Sequence, residues 1–117
     1  MTKPTLGPDS PIDSLDDLRV RQRQFAAERD WEQFHLPKNL AMSVAIEAAE
    51  IMEHFQWLTA AQSANLDAGT KHEVAHEIAD VLLYLVRLAD VLGIDMAAAA
   101  REKIGINAVK YPARRGL

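Results

Sequence analysis

Two stretches of this sequence, residues 40–58 and 74–92, are apolar around most of a helical circumference, and each is broken by one narrow acidic stripe. On a helix advancing about 100° per residue, Glu47 and Glu50 fall about 60° apart and one turn from each other. Ser43 and His54 join them in the stripe. Leu40, Val44, Ala48, Ile51, Phe55 and Leu58 are expected on the core face, while Met42, Ala45, Ile46, Ala49 and Met52 cover much of the remainder. In the second stretch Glu73, Glu77, Asp80 and Tyr84 share a stripe with Arg87 at its edge. Val74, Ile78, Val81, Leu85, Leu88 and Leu92 are expected to form its core face. A surface helix normally has one apolar face and one broad polar face. Helices as apolar as these need cover on several sides, which points to an assembly of copies.

Local signals divide the rest of the chain into helices. Ser14 and Asp17 have capping-box spacing and predict a first helix to about Asp30. DWEQFHLP interrupts it, and Pro37 suits the first turn of a second helix running to about Leu58. A polar connector follows. Thr70 and Glu73 repeat the capping-box spacing and predict a third helix from Lys71 to about Leu92, stopped by Gly93. Asp95 can cap a fourth helix to about Ala108, before Tyr111–Pro112. No convincing strand and no internal repeat are present, so the expectation is an all-α domain of four helices over residues 14–113. Residues 1–13, which lack an apolar signal-peptide core, are expected to form a disordered leader, and residues 114–117 a short tail.

Composition removes several function classes. The chain of 117 residues has no cysteine, which excludes disulfides and thiolate zinc sites. No apolar run approaches the ~18 residues of a membrane span. A formal net charge of −4 argues against a polymeric nucleic-acid partner. Glycine-rich phosphate loops of the G-x-x-x-x-G-K-[ST] and G-x-G-x-x-G types are missing, as are the usual serine-nucleophile motifs.

The acidic stripes are the chemistry-bearing feature. Two antiparallel helices would bring Glu47 and Glu50 opposite Glu77 and Asp80. Four carboxylates so placed repel and take up protons unless a cation lies between them. Oxygen-only donors suit Mg²⁺ or Mn²⁺, not zinc. A single E-x-x-E is commonplace on solvated helices; two matched pairs, each the polar exception on an apolar helix, carry the argument. Glu73 has a capping role available, Glu53 points away into solvent, and His54 fits a neighbouring residue better than a ligand. Lys103 and Asn107, i, i+4 neighbours with Lys110 one turn beyond, could meet phosphates or remain solvated. Trp31 and Trp57 could pack a core or offer a flat face to a nucleobase.

These segments together resemble a known family. FAAERDWEQFH (25–35), P-x-N-L (37–40), the two acid pairs, DVLLYLV (80–86) and K-x-x-x-N…YP (103–112) are similar to the all-α MazG-like nucleoside triphosphate pyrophosphohydrolases, nearest their dCTP pyrophosphatase branch. The resemblance implies a MazG-like four-helix bundle, assembled as a dimer or tetramer with sites at subunit interfaces. It implies Mg²⁺-dependent cleavage of a deoxynucleoside triphosphate, dCTP or a 5-modified dCTP, to monophosphate and pyrophosphate, as cytoplasmic nucleotide-pool house-cleaning. It assigns Glu47, Glu50, Glu77 and Asp80 as catalytic metal ligands. Substrate contacts fall on Trp31, Glu32, Gln33, Phe34, His35, Trp57 and Tyr84, with Lys103 and Asn107 near the phosphates. One departure concerns Gln22: the animal enzymes have a histidine there, and an amide can donate and accept hydrogen bonds but cannot stack or titrate as imidazole does.

Two other classes are compatible with parts of the sequence. A non-catalytic helical dimerisation module would explain the apolar helices but not the matched acids. A carboxylate-bridged di-iron bundle needs Glu-x-x-His on two helices, and Glu73–His76 is the only such pair on a predicted helix.

Overall fold

The structure, a computed structural model, describes residues 11–114 and contains five helices and no strand among them. They are α1 (Leu15–Glu28), α2 (Pro37–Glu53), α3 (Ala60–Ser63), α4 (Ala68–Val91) and α5 (Met96–Lys110). The expected leader at 1–13 and tail at 114–117 lie largely outside the described residues. No described helix is long and apolar enough to cross a membrane.

The helix boundaries follow from competition between local caps. Ser14 Oγ accepts the Asp17 N–H at 3.1 Å and opens α1. Asp17 answers one residue early, its carboxylate accepting the Asp13 N–H at 3.0 Å instead of that of Ser14. Pro37 occupies the first turn of α2, where its missing N–H costs nothing. This helix ends at Glu53, short of the expected Leu58. Residues 54–57 turn instead, because Thr59 and Gln62 form a reciprocal capping box that starts α3. That short helix makes the count five rather than four.

The expected start of the long helix at Lys71 is also corrected. Asp67 is the cap: its Oδ1 accepts the Thr70 N–H at 2.8 Å, and its Oδ2 accepts the Thr70 hydroxyl at 3.0 Å. The hydroxyl expected to cap is thereby itself held, and the Thr70–Glu73 box does not form. These bonds, the Thr70 N–H first, hold the Asp67 carboxyl below its usual range. At the other end Gly93 adopts φ 69°. Its N–H donates to Asp90 O at 3.1 Å and that of Ile94 to Ala89 O at 2.8 Å, a Schellman termination. Asp95 caps α5 as expected, its Oδ1 accepting the Ala98 N–H at 3.0 Å.

Packing is concentrated along α4, against which α2 and α1 lie; α5 packs appreciably on no other helix. The buried apolar residues are Ala26, Leu40, Val74, Val86 and Ala89. The expected core face of α4 is therefore only partly right: Val74 is buried, but Ile78 is 53% and Leu92 52% exposed. On α2 the expected core face is also partly right: Leu40 is buried and Val44 and Ile51 are half-buried, while Ala48 is exposed. Glu47, Glu50 and His54 are half-buried while Ile46 is 60% exposed, because the acidic stripe faces α4 and an apolar flank faces outward. The Cα radius of gyration is 17.8 Å, against about 13 Å for a compact chain of this length. The single protomer is open.

Candidate active site

The α2–α4 seam brings the two acid pairs together. Glu47 Oε2 is buried with no hydrogen-bond partner. Burial, then the negative charges of Glu50 and Asp80, with Glu77 also contributing, pushes the Glu47 carboxyl above its usual range. His54, just beyond the end of α2, reaches across the seam: its Nε2 lies 2.6 Å from Glu77 Oε2, a close approach without the geometry of a well-directed hydrogen bond. Among the described residues no group of three or more acidic or histidine side chains is placed closely enough to hold a metal ion. The donor chemistry still fits a hard divalent cation. Glu47 is half-buried, has one orphaned carboxylate oxygen and lies among three other carboxylates, and oxygen is the donor such ions prefer.

Next to the acids lies a cavity of about 320 Å³ lined by Gln22, Phe25, Trp31, His35, Asp80, Leu83, Tyr84 and Arg87. Asp80 belongs to both the acid cluster and the cavity wall, so whatever fills the cavity sits beside the carboxylates. The aromatic wall is built by the exit of α1. Asp30 takes a left-handed φ of 55°. The Trp31 N–H then donates back to Ala26 O at 2.9 Å. This folds Trp31 edge-on against Phe25, centroids 5.5 Å apart, and against His35 at 6.1 Å. Arg29 stacks over the Phe25 ring, its guanidinium carbon 3.4 Å from the ring centroid.

Behind the cavity is an ionic network that sequence reasoning did not anticipate. Asp90 is held by Arg23 in a two-pronged contact and by Arg87 Nη1 at 3.2 Å, with Arg19 Nη1 at 3.5 Å. The hydrogen bond from Arg23, more than any other cause, keeps the Asp90 carboxyl below the usual aspartate range. Arg87 is itself buried and donates from Nε to His35 Nδ1 at 3.0 Å. Its position at the edge of the acidic stripe was the only sequence signal. Leu83 and Phe25, also on the cavity wall, read simply as apolar positions.

The remaining expected contacts are placed elsewhere in the protomer. Gln33 turns back, donating from Nε2 to Asp30 O at 3.2 Å, and Phe34 is 63% exposed. Glu32 is likewise exposed, its carbonyl accepting the His35 N–H at 3.2 Å. Trp57 is 86% exposed and lines none of this cavity. Lys103 and Asn107 project into solvent from α5. His76 lies against His72, ring centroids 4.3 Å apart, and the other Glu-x-x-His, Glu32–His35, lies in the turn after α1, so the described helices do not supply the two such pairs a di-iron site needs.

Comparison with known proteins agrees with this architecture. The sequence profile of the MazG-like family matches residues 42–116. Human dCTP pyrophosphatase 1 is 42% identical over 106 residues, spanning 89% of this chain and 62% of the human protein. Its mouse counterpart is 40% identical over 105 residues, spanning 88% of this chain and 62% of the mouse protein. The chain thus spans less than two thirds of the length of these curated relatives. Among solved structures, a pyrophosphatase from Archaeoglobus fulgidus superposes with a TM-score of 0.80 at 38% identity, covering 92% of this chain and 100% of that one.

Proposed function

The chain belongs to the MazG-like family, and from that premise we propose that it hydrolyses a deoxynucleoside triphosphate, dCTP or a 5-modified dCTP, to the monophosphate and pyrophosphate. The observation that carries this reading is the shared position of Asp80, one of four clustered carboxylates and at once part of the wall of an aromatic cavity. A triphosphate at the acids and a base in the cavity is the occupancy that arrangement accommodates. The names of the human and mouse relatives and of the archaeal pyrophosphatase point to the same chemistry.

In this reading Glu47, Glu50, Glu77 and Asp80 are the residues that would hold Mg²⁺, with Mn²⁺ as a substitute. When bound, the metal supplies neutralisation of the triphosphate oxygens and of charge developing on the leaving pyrophosphate. The chain's own residues do the rest. Glu47 or Glu50 accepts a proton from the attacking water, whose oxygen bonds to the α-phosphorus as the bond to pyrophosphate breaks. His54 stands against Glu77 and orients it. Trp31, His35, Tyr84 and Gln22 receive the base and sugar. Lys103, Asn107 and Trp57, together with the exposed residues Glu32, Gln33 and Phe34, reach the substrate only across a subunit boundary. The active form is accordingly a dimer or tetramer, working in the cytoplasm on the free nucleotide pool.

The test is a panel of nucleoside and deoxynucleoside triphosphates with Mg²⁺, scored for pyrophosphate against single-phosphate release. Pyrophosphate release with dCTP or 5-methyl-dCTP ranked first is expected. No hydrolysis of any nucleotide would instead favour a non-catalytic helical assembly module.

A further inference from the structure

We propose that Arg87 is a positioning residue of the base pocket: it holds His35 as the tautomer protonated on Nε2, so that the pocket presents a neutral ring N–H donor to the substrate. This deepens the nucleotide reading above and rests on it for the identity of the ligand. The first observation is geometric. Arg87 Nε can only donate, so the 3.0 Å contact requires an unprotonated, accepting Nδ1 on His35. A neutral imidazole whose Nδ1 accepts must carry its hydrogen on Nε2. Among the described residues Nε2 makes no hydrogen bond, and His35 lines the cavity.

The second observation is that Arg87 is not free to move. Its side chain is 8% exposed, and the Nη1 prong is engaged by Asp90, whose carboxylate is 5% exposed and is gripped from α1 by Arg23. The guanidinium is therefore anchored at one end and applied to His35 at the other. Charge and burial act the same way: burial first, then the positive charge of Arg87, lowers His35 from its ordinary range. The third observation is what the cavity wall otherwise offers. Asp80 accepts, Gln22 and the rotatable Tyr84 hydroxyl can do either, and Phe25, Trp31 and Leu83 supply apolar surface. A fixed donor favours a base edge with adjacent acceptors. Cytosine presents N3 and O2 together, whereas thymine and uracil interpose an N3–H.

The experiment is ¹⁵N–¹H NMR of imidazole nitrogens in the wild-type oligomer and in Arg87→Met, with kcat and KM for dCTP and dTTP. In the wild type His35 is expected to show a pyrrole-type Nε2 and a pyridine-type Nδ1. In Arg87→Met the tautomers are expected to mix, with KM for dCTP raised about tenfold, kcat changed less than twofold and the dCTP-over-dTTP preference reduced. A wild-type His35 protonated on Nδ1 would overturn the proposal, even if the variant failed to fold. So would a variant whose tautomer shifts while KM and base preference stay constant. Absence of any nucleotide hydrolysis in the wild type would defeat the enzymatic reading alone. The tautomer, and its response to added dCMP, would then decide the role of Arg87 separately: an Nε2 resonance that shifts with dCMP in the wild type and not in Arg87→Met supports it, and an unresponsive one overturns it.

Discussion

Arg23 and Asp90, 67 positions apart, meet as fork and carboxylate: Nε donates to Oδ2 at 3.0 Å and Nη2 to Oδ1. This contact ties α1 to α4 behind the cavity. Removing the acceptor leaves the buried Arg87 without its ionic partner. Asp90→Ala is expected to cost about 3 kcal/mol, toward the low end for a broken buried pair because Arg23 remains half in water. Urea unfolding monitored by helical circular dichroism measures it. The pH dependence has a definite sign. Because Arg23 depresses the Asp90 carboxyl, its stabilisation is complete above the unfolded aspartate value of about 3.9 and is lost as pH falls below that.

The acid cluster predicts the opposite trend in a higher window. The Glu47 carboxyl is raised by burial and by its acidic neighbours, so it binds a proton more readily folded than unfolded. Metal-free protein is expected to gain stability as pH falls through the folded value toward the ordinary glutamate range, and to gain nothing further below it. Glu47→Gln flattens that segment of a melting-temperature profile and raises the metal-free melting temperature at neutral pH. Glu50→Gln and Asp80→Asn are expected to abolish turnover with unchanged helicity. Mg²⁺ is expected to raise the melting temperature of wild type but of neither variant. Near-normal activity in both would remove these residues from the metal site.

Asp30 provides a test of how the aromatic wall is set. Its φ of 55° is tolerated by aspartate and costs a β-branched residue more. Asp30→Gly is expected to stay within about 1 kcal/mol of wild type, while Asp30→Val loses about 1–3 kcal/mol. Denaturant midpoints distinguish them. If the turn aims Trp31 into the pocket, Asp30→Val also raises KM for the nucleotide, and Asp30→Gly leaves KM within twofold.

Gln22 stands on the cavity wall, and the family resemblance leads us to expect a histidine at this position in the animal enzymes. Gln22→His is expected to move the ranking of dCTP, 5-methyl-dCTP, dTTP and dUTP in kcat/KM toward that of those enzymes. Trp31→Phe is expected to raise KM and flatten the ranking with little change in kcat, since the base lies away from the reacting phosphorus. An unaltered ranking after Gln22→His would show that this position does not read the base.

Features decided within a turn or two of chain were legible in the sequence. Ser14, Gly93 and Asp95 mark boundaries because each acts on a backbone group three residues away, and Pro37 because its missing N–H and fixed φ suit only a first turn. The angular argument also placed Glu47 and Glu50 on one stripe without any knowledge of the partner helix. Thr70 misled because two caps competed and the earlier, Asp67, captured both the N–H and the hydroxyl of Thr70. The apolar faces misled for a different reason. Periodicity identifies which residues avoid water but not whether the cover comes from the same chain, so Ile78 and Leu92 read as core and stand exposed. Arg87 was illegible in kind: its role depends on His35, 52 positions away, and on an aspartate that reads as an ordinary surface acid.

The isolation of α5 has a genetic consequence. From Arg101 to Lys110 every residue of this helix is exposed, and only its first turn, at Met96 and Ala97, shares a groove with α1 and α4. If Lys103 and Asn107 serve a neighbouring subunit's acids, a defect on α5 and a defect on α2 disable different halves of a composite site. Two inactive alleles, Lys103→Ala and Glu50→Gln, would then complement each other. Mixed oligomers assembled from both would regain a fraction of sites in which every contributing residue is intact, while either allele alone stays silent.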